Sequence, residues 1–442
     1  MSKIALSRGV WLSTSRSNSC HFAVSNLVRE NTSIPKQEAY SAMTHSKTID
    51  GMRAYMAWWV VLAHSLVLAG PLPMIPHILH SLFTVANVPV YVFIVISGFV
   101  ITHLLIGSSE ERYPVYITRR GFRIFPVYLF ALLVMSLVYK YYIQVLTASW
   151  RPDASMHLAK FAAERQHFWI YLLLHLSLLH GVVPDNVLPY SSSAFLSPAW
   201  SLSLEWQFYL IAPLLVRFPA KWRYWGLAIV AIVCGLTFVA SAGIYFHWMF
   251  PANLFCALGF FALGILSRFR FQGVPWQHLW HYILILLVML GGIVYARDWI
   301  ILRCMAMALA IWAMSLWMIQ REITVPNRRG LLSRVGKGVF CSRLITAVGS
   351  WSYSTYLLHG PVLAAVIALF LNFCPGTPTE RLRLSFLLSI PLVLLLSYAT
   401  YNWLERPGMR LGKKVTVLLH TVRLARVRAY ELSNNVQEKK IT

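Results

Sequence analysis

The stretch Arg53-Ala-Tyr-Met-Ala-Trp-Trp-Val-Val-Leu-Ala-His64 sets a guanidinium and an imidazole at the two ends of an otherwise uncharged, largely apolar run. Eleven residues make about three turns at 3.6 per turn, so the two side chains share a helix face, roughly 16 Å apart along it. In a bilayer that arrangement holds a cation at the rim and a base deep in the hydrocarbon. Ionisable groups there survive mainly where they face a cavity, a partner or a substrate path, which makes His64 a site candidate. A histidine on an internal face can equally serve as a hydrogen-bond partner for a neighbouring helix, and this motif alone does not separate the two roles.

Composition places the run in a membrane. Hydrophobic residues are 58% of the 442 and charged residues only 12%, more apolar than a soluble domain. Lipid leaves no water to satisfy the backbone, so the chain has to be a bundle of helices or a closed barrel. The apolar runs are long and continuous, without the alternation of barrel strands. The fold class is therefore all-α and polytopic.

A net charge of +24 would fit a nucleic-acid-binding protein, but its placement does not. Of the 39 basic residues, 31 fall in six short segments, 1–53, 108–123, 217–223, 267–281, 320–343 and 405–442. These segments lie between apolar runs, as cytoplasmic loops do under the positive-inside rule. The charge thus orients the chain in a membrane and calls for no nucleic acid.

Spans fitted to that charge pattern fall near 53–69, 86–107, 124–143, 197–216, 224–245, 252–267, 279–295, 299–319, 345–371 and 385–404. That is about ten crossings, with both termini in the cytoplasm. Counting Phe168 to Val183 as another would put Arg217, Lys221 and Arg223 on the wrong side. This stretch is therefore expected to be a re-entrant helix shielded by protein. The segment 144–197 becomes the largest outward one, and Trp150, Trp169, Tyr171 and Tyr190 offer rings for stacking on a sugar.

Residues 1–49 read as a polar cytoplasmic leader without a secretory h-region, in which Met43 is a second candidate start. Residues 50–412 form the membrane domain. Residues 413–442, with Arg423, Arg426 and Arg428 at helical spacing, read as a basic amphipathic tail on the inner leaflet. The six cysteines are scattered singly, and His77, His80, His175, His180, His278 and His281 lack carboxylate company. Neither pattern points to a disulfide framework or a metal site.

Several segments carry chemistry. Arg119, Arg120 and Arg123 sit just before the third expected span, on the same cytoplasmic rim as Arg53. Four guanidinium forks there suit phosphate oxygens, although arginines beside a span also serve as plain orientation signals. Ser97-Gly98-Phe99 carries a small pair that allows close helix approach, and packing alone accounts for it. Pro198 to Tyr209 brings Trp200, Ser201, Ser203, Glu205 and Gln207 into the bilayer, and Glu205 is the only acid within any expected span. A carboxylate there needs a histidine or arginine partner. The ninth span holds Tyr356 and His359, for which a satisfied hydrogen-bond network is the plain alternative to a substrate role.

In order along the chain, Arg53-x10-His64, Ser97-Gly98-Phe99, Arg120-x-x-Arg123, Trp200-Ser-Leu-Ser-Leu-Glu205-x-Gln-Phe-Tyr209, Ser352-Tyr-Ser-x-Tyr356-Leu-Leu-His359 and Tyr401-Asn-Trp-Leu-Glu405-Arg-Pro407 resemble the motifs of the acyltransferase 3 family of membrane O-acyltransferases. The resemblance covers roughly 48–412. It implies transfer of an acyl group, most often acetyl from cytoplasmic acetyl-CoA, to a hydroxyl of a surface polysaccharide, lipopolysaccharide or other envelope glycan or glycolipid, in a bacterial inner membrane and without a metal. Carried over residue by residue, His64 is the catalytic histidine, and Arg53, Arg120 and Arg123, joined by the neighbouring Arg119, serve the donor. Ser97, Trp200, Ser203, Tyr356 and His359 are the candidates for the substrate path. The family commonly has an acid six residues before Ser97, where this chain has Tyr91. Glu205 is the candidate to replace it in orienting the histidine.

The residue chemistry agrees with that implication. Attack by a sugar hydroxyl needs a base of near-neutral pKa, which imidazole supplies. A donor with a pyrophosphate needs a cationic anchor, and the pantetheine arm would thread from the arginines to His64. A transporter or flippase of a glycan or lipid intermediate is the alternative, but such folds show matched broken helices in both halves. No internal repeat is evident here.

Overall fold

A computed structural model describes residues 46–69, 81–107, 112–148, 151, 153–217, 223–324, 338–374, 377–419 and 421. Among them the secondary structure is helical, with no strand. The leader up to residue 45, Trp150 and the tail arginines Arg423, Arg426 and Arg428 lie outside the described residues.

Helices stand at all ten positions expected for spans. They are α1 (Lys47–Ala69), α2 (Asn87–Gly107), α3 (Tyr113–Leu146), α6 (Trp200–Val216), α7 (Arg223–Ser241), α8 (Leu254–Phe271), α9 (Trp280–Tyr295), α10 (Trp299–Thr324), α12 (Ser352–Phe373) and α13 (Pro378–Thr400). The short α4 (Ala154–Gln166) and α5 (Phe168–Leu176) follow α3, and α11 (Arg343–Ser350) precedes α12. Six helices are long and apolar enough to cross a membrane by length and composition alone: Ser81–Gly107, Tyr113–Leu146, Leu254–Phe271, Trp299–Arg321, Ser352–Phe373 and Arg383–Leu419. α7 and α9 are apolar but shorter, and α1 and α6 carry polar side chains that neighbouring helices shield. The outward faces are oily, with Leu137, Leu387 and Trp403 each more than 70% exposed, as a surface that meets lipid requires.

Two expected boundaries move. α3 starts at Tyr113, with Pro114 in its first turn, and not near 124. Arg119, Arg120 and Arg123 therefore ride on a helix and have fixed directions, where the sequence had placed them in a loop. The last helix also continues beyond its expected end, through a π turn at Tyr401–Glu405 and on to Leu419. The first residues of the expected tail, 413–419, thus extend the membrane domain.

The stretch Phe168 to Val183 does not cross. α5 has nine residues, about 13 Å at 1.5 Å each, far short of a hydrocarbon core about 30 Å thick. It ends where Leu178 enters the left-handed region at φ 57°, unfavourable for a γ-branched residue and held here by its surroundings. The Ser203 hydroxyl donates to the Leu178 carbonyl at 2.8 Å and accepts from the Gly181 amide at 3.0 Å. One turn on, the Gln207 amide donates to the Ala252 carbonyl at 2.9 Å, and its carbonyl accepts from the Leu254 amide at 3.0 Å. α6 thereby binds two irregular segments into the bundle.

A close helix crossing joins α2 to α8. A Cβ on Gly98 would lie 2.4 Å from the Phe261 carbonyl oxygen, and one on Gly264 would lie 2.2 Å from that of Val95. Neither backbone can retreat without separating the helices, so the packing reading of Gly98 is the one the structure supports. Gly264→Val should destabilise the protein by about 1–3 kcal/mol, the range for overpacking a tight site. Thermal unfolding of the detergent-solubilised protein measures this, and a melting temperature equal to wild type would show that the crossing is slack.

Candidate functional site

Two cavities lie one above the other along the helices. α1, α3 and α12 each contribute an early segment to one and a later segment to the other. The first, about 300 Å³, is lined by Arg53, Arg119, Arg120 and Arg123, with Ser97, Glu205 and Tyr209 opposite and Tyr356 at its depth. Arg53 from α1 and the three arginines of α3, which the charge pattern put on one rim, line this one cavity. Lys413, on the extension of α13, adds a fifth cation.

Two carboxylates, Glu205 half-buried and Glu405 buried, stand near these cations. Glu205 accepts from the Ser97 hydroxyl at 3.1 Å and from the Tyr209 phenol. Glu405 is 1% exposed, accepts from the Ser354 hydroxyl at 2.8 Å, and faces Arg123 at 3.9 Å. The π turn ending at Glu405 adds a residue to the helix and swings the carboxylate inward, and such turns recur at functional sites. Arg119 is steadied by Thr416 at 3.3 Å, and Arg120 lies over the Tyr209 ring, 5.9 Å from its centroid. The guanidiniums are pre-oriented around an empty volume and are not all neutralised against one another, which suits a polyanionic ligand.

The second cavity, about 260 Å³, has His64 and His359 in its wall. His359 Nδ1 lies 2.6 Å from the Tyr356 carbonyl, which can only accept, so that nitrogen carries the proton and Nε2 has a lone pair. His359 Nε2 is 3.2 Å from His64 Nδ1, which is also 3.0 Å from the Val60 carbonyl. His64 must then be protonated at Nδ1, donating to both, and its Nε2 keeps a free lone pair. That is the tautomer of a general base, assigned by partners that the sequence did not reveal.

A single layer separates the cavities. The Tyr356 hydroxyl donates to the Pro198 carbonyl at 2.9 Å and lies 2.8 Å from the Ser201 hydroxyl. Tyr356 and Ser201 line the arginine cavity, whereas Pro198 and His359 line the histidine cavity. The expectation that Arg53 and His64 open onto one continuous path is therefore corrected. The shared face is real, but side chains of α6 and α12 close across it.

Other candidates also sit elsewhere than expected. Glu205 lies among the arginines and not beside His64, whose orienting partner is His359. Ser203 is fully buried and lines neither cavity, because its hydroxyl is spent on Leu178 and Gly181. Trp200 also lines neither cavity and stacks on Phe250, a wall residue of the histidine cavity, at 5.6 Å. Ser97 and Tyr356 do face the arginine cavity. Tyr91, at the family's usual acid position, is buried and stacked on Phe260 at 4.5 Å. Of the rings proposed for sugar stacking, Tyr190 faces the histidine cavity, Trp169 is 72% exposed on the outside, and Tyr171 is buried with its hydroxyl on the Pro189 carbonyl. Glu405 and Lys413 were missed as site residues. An acid directly after an apolar span was the available signal for the first, and the second had none.

The far rim of the histidine cavity is polar, with Arg151, Asp153, His157 and Lys160 on and just before α4. Arg151 and Asp153 form a two-pronged ion pair at 2.9 and 2.7 Å. Burial pushes the Lys160 ammonium down to about 7 and the Glu164 carboxyl up to about 8.

Comparison with known proteins agrees with the motif reading. The acyltransferase domain family model matches residues 46–402, most of the chain and all of the residues that line both cavities except Met409 and Lys413. No curated protein and no solved structure gave a match. The chain, a polytopic bundle of apolar helices matched over most of its length, belongs to the acyltransferase 3 family and is an acyltransferase.

Proposed function

We propose that the protein transfers an acyl group, acetyl in the simplest case, from cytoplasmic acyl-CoA to a hydroxyl of an envelope glycan or glycolipid on the other side of a bacterial inner membrane. One observation carries this reading: a base with a free Nε2 lone pair sits one residue layer from a cavity lined by five cations. The phosphates of the donor would bind Arg53, Arg119, Arg120, Arg123 and Lys413, with Glu405 holding Arg123 and Glu205 keeping the cluster from repelling itself. The pantetheine arm would extend toward Tyr356, and movement of that ring off Pro198 and Ser201 would let the thioester meet His64. The clustering of basic segments on one side supports a cytoplasmic entry.

The chemistry balances in one exchange. His64 Nε2 takes the proton of the acceptor hydroxyl as its oxygen attacks the thioester carbonyl. The carbon–sulfur bond breaks, and the thiolate recovers the proton from His64 Nε2, leaving an ester and a free thiol. His359, a positioning residue, accepts from His64 Nδ1 and keeps Nε2 directed at the cavity.

His64→Ala should lower acyl transfer about 10²- to 10⁴-fold, the usual contribution of a general base, with normal membrane insertion. Radiolabelled acetyl-CoA incubated with the purified protein and envelope glycan reads this directly. Undiminished labelling would remove the mechanism, and no thioester consumption even by wild type would favour a flippase or scaffold. Arg53→Ala and Arg123→Ala should each raise the KM for acetyl-CoA about ten- to a hundredfold, as expected for a lost charge-assisted contact, and leave the acceptor KM unchanged. An unaltered donor KM would count against the anchor. His359→Ala should instead reduce kcat at unchanged donor KM, and a pure KM effect would place it in donor binding.

A further inference from the structure

The described residues lining the rim of the histidine cavity carry two cations, Arg151 and Lys160, against one carboxylate, Asp153, and the Lys160 ammonium is ion-paired only at a distance. Lys160 is 3% exposed and lines the cavity, yet its nearest carboxylate oxygen, on Glu164, stands at 3.7 Å. The oxygens of Glu164 are already engaged by the Tyr139 hydroxyl and the Phe195 amide. The ammonium otherwise lies near the rings of Tyr142 and Phe161 at 5.5 and 5.7 Å and makes no hydrogen bond among the described residues. One turn earlier, His157 gives one ring nitrogen to Asp153 at 3.2 Å, while its buried Nδ1 has no partner among them. Asp153 is the only carboxylate lining this cavity among the described residues, and Arg151 holds it in both forks. With its Nε2 proton on Asp153, His157 keeps a bare lone pair at Nδ1 that can accept from a ligand hydroxyl, whereas the Lys160 ammonium faces the same space with no hydrogen-bond acceptor among the described residues and lacks an acidic group to bind.

We infer that Lys160 forms an anion subsite for the acceptor, which selects a glycan carrying a carboxylate or phosphate beside the hydroxyl that is acylated. This rests on the reading of the histidine cavity as the acceptor site. The rim would grip the acidic group while the imidazole of His64, across the same cavity, addresses the hydroxyl. Specificity would follow from the Lys160 ammonium, because a neutral sugar leaves it without a hydrogen-bond acceptor, and sites built on such groups discriminate strongly.

Equilibrium binding of neutral, uronate-bearing and phosphorylated oligosaccharides to the full chain in nanodiscs tests this, together with acyl transfer to each. Both acidic ligands, or one of them, should bind at least tenfold more tightly than the neutral one. The preference should vanish in Lys160→Met, persist in Lys160→Arg, and survive in His64→Ala, where transfer is lost. The two acidic arms show whether carboxylate or phosphate is the group recognised. Equal binding of neutral and acidic ligands by wild type, or an acidic preference retained by folded Lys160→Met, would overturn the subsite. Acidic binding without any thioester consumption by wild type would instead sink the acyltransfer reading while leaving the subsite standing.

Discussion

Charge in an apolar bundle has to be either paired or put to use, and this constraint organises the whole molecule. A guanidinium or carboxylate taken out of water loses several kcal/mol of hydration, about as much as an ideal partner returns. The chain answers by gathering many of its intramembrane ionisable groups at two cavities, while Arg268 on α8, away from both, donates to His103 on α2 at 3.0 Å. At the first, Glu205 and Glu405 stand among Arg53, Arg119, Arg120 and Arg123, so no single cation bears the whole repulsion of the cluster. At the second, two neutral imidazoles satisfy each other and leave one lone pair over.

The helices do more than carry these groups. α1, α3 and α12 run past both cavities, so their spacing along the axis sets the distance from the cation cluster to His64. α6 closes the gap between them, with Ser201 meeting Tyr356 across the partition while Ser203 and Gln207, on another face, fasten residues 178–181 and 252–254. One short helix therefore both stands in the partition between the cavities and holds two irregular segments in the bundle. This explains why the polar residues of α6 are so dense: most of them serve backbone groups that lipid cannot hydrate.

The single layer at Tyr356 has a physical advantage for an acyltransferase. A continuous channel between the two cavities would admit water to an activated acyl donor and would leak across the membrane. A phenol held by two hydrogen bonds is a barrier that can open locally, because a rotamer change breaks contacts worth only about 0.5–1.5 kcal/mol each. Closing the site before chemistry also strengthens the electrostatics within it.

Much of this was legible in one dimension. Composition and the placement of the basic segments determined a polytopic helical membrane protein, and helices stand at every expected span because lipid leaves the backbone no alternative. The x10 spacing put Arg53 and His64 on one face of α1, and the arginine run reached the same cavity as Arg53. What only the tertiary structure decided is which neighbours each polar group meets. Glu205 was expected beside His64 and lies with the arginines, Ser203 and Trp200 support the walls from behind, Glu405 stands against Arg123, and Lys413 and Lys160 line cavities that no local pattern announced. Periodicity along a helix fixes the direction of a side chain relative to its own axis. The rotation and depth of the neighbouring helices, set by contacts such as Gly98 on α8 and by the extra residue of the π turn, determine what lies in that direction.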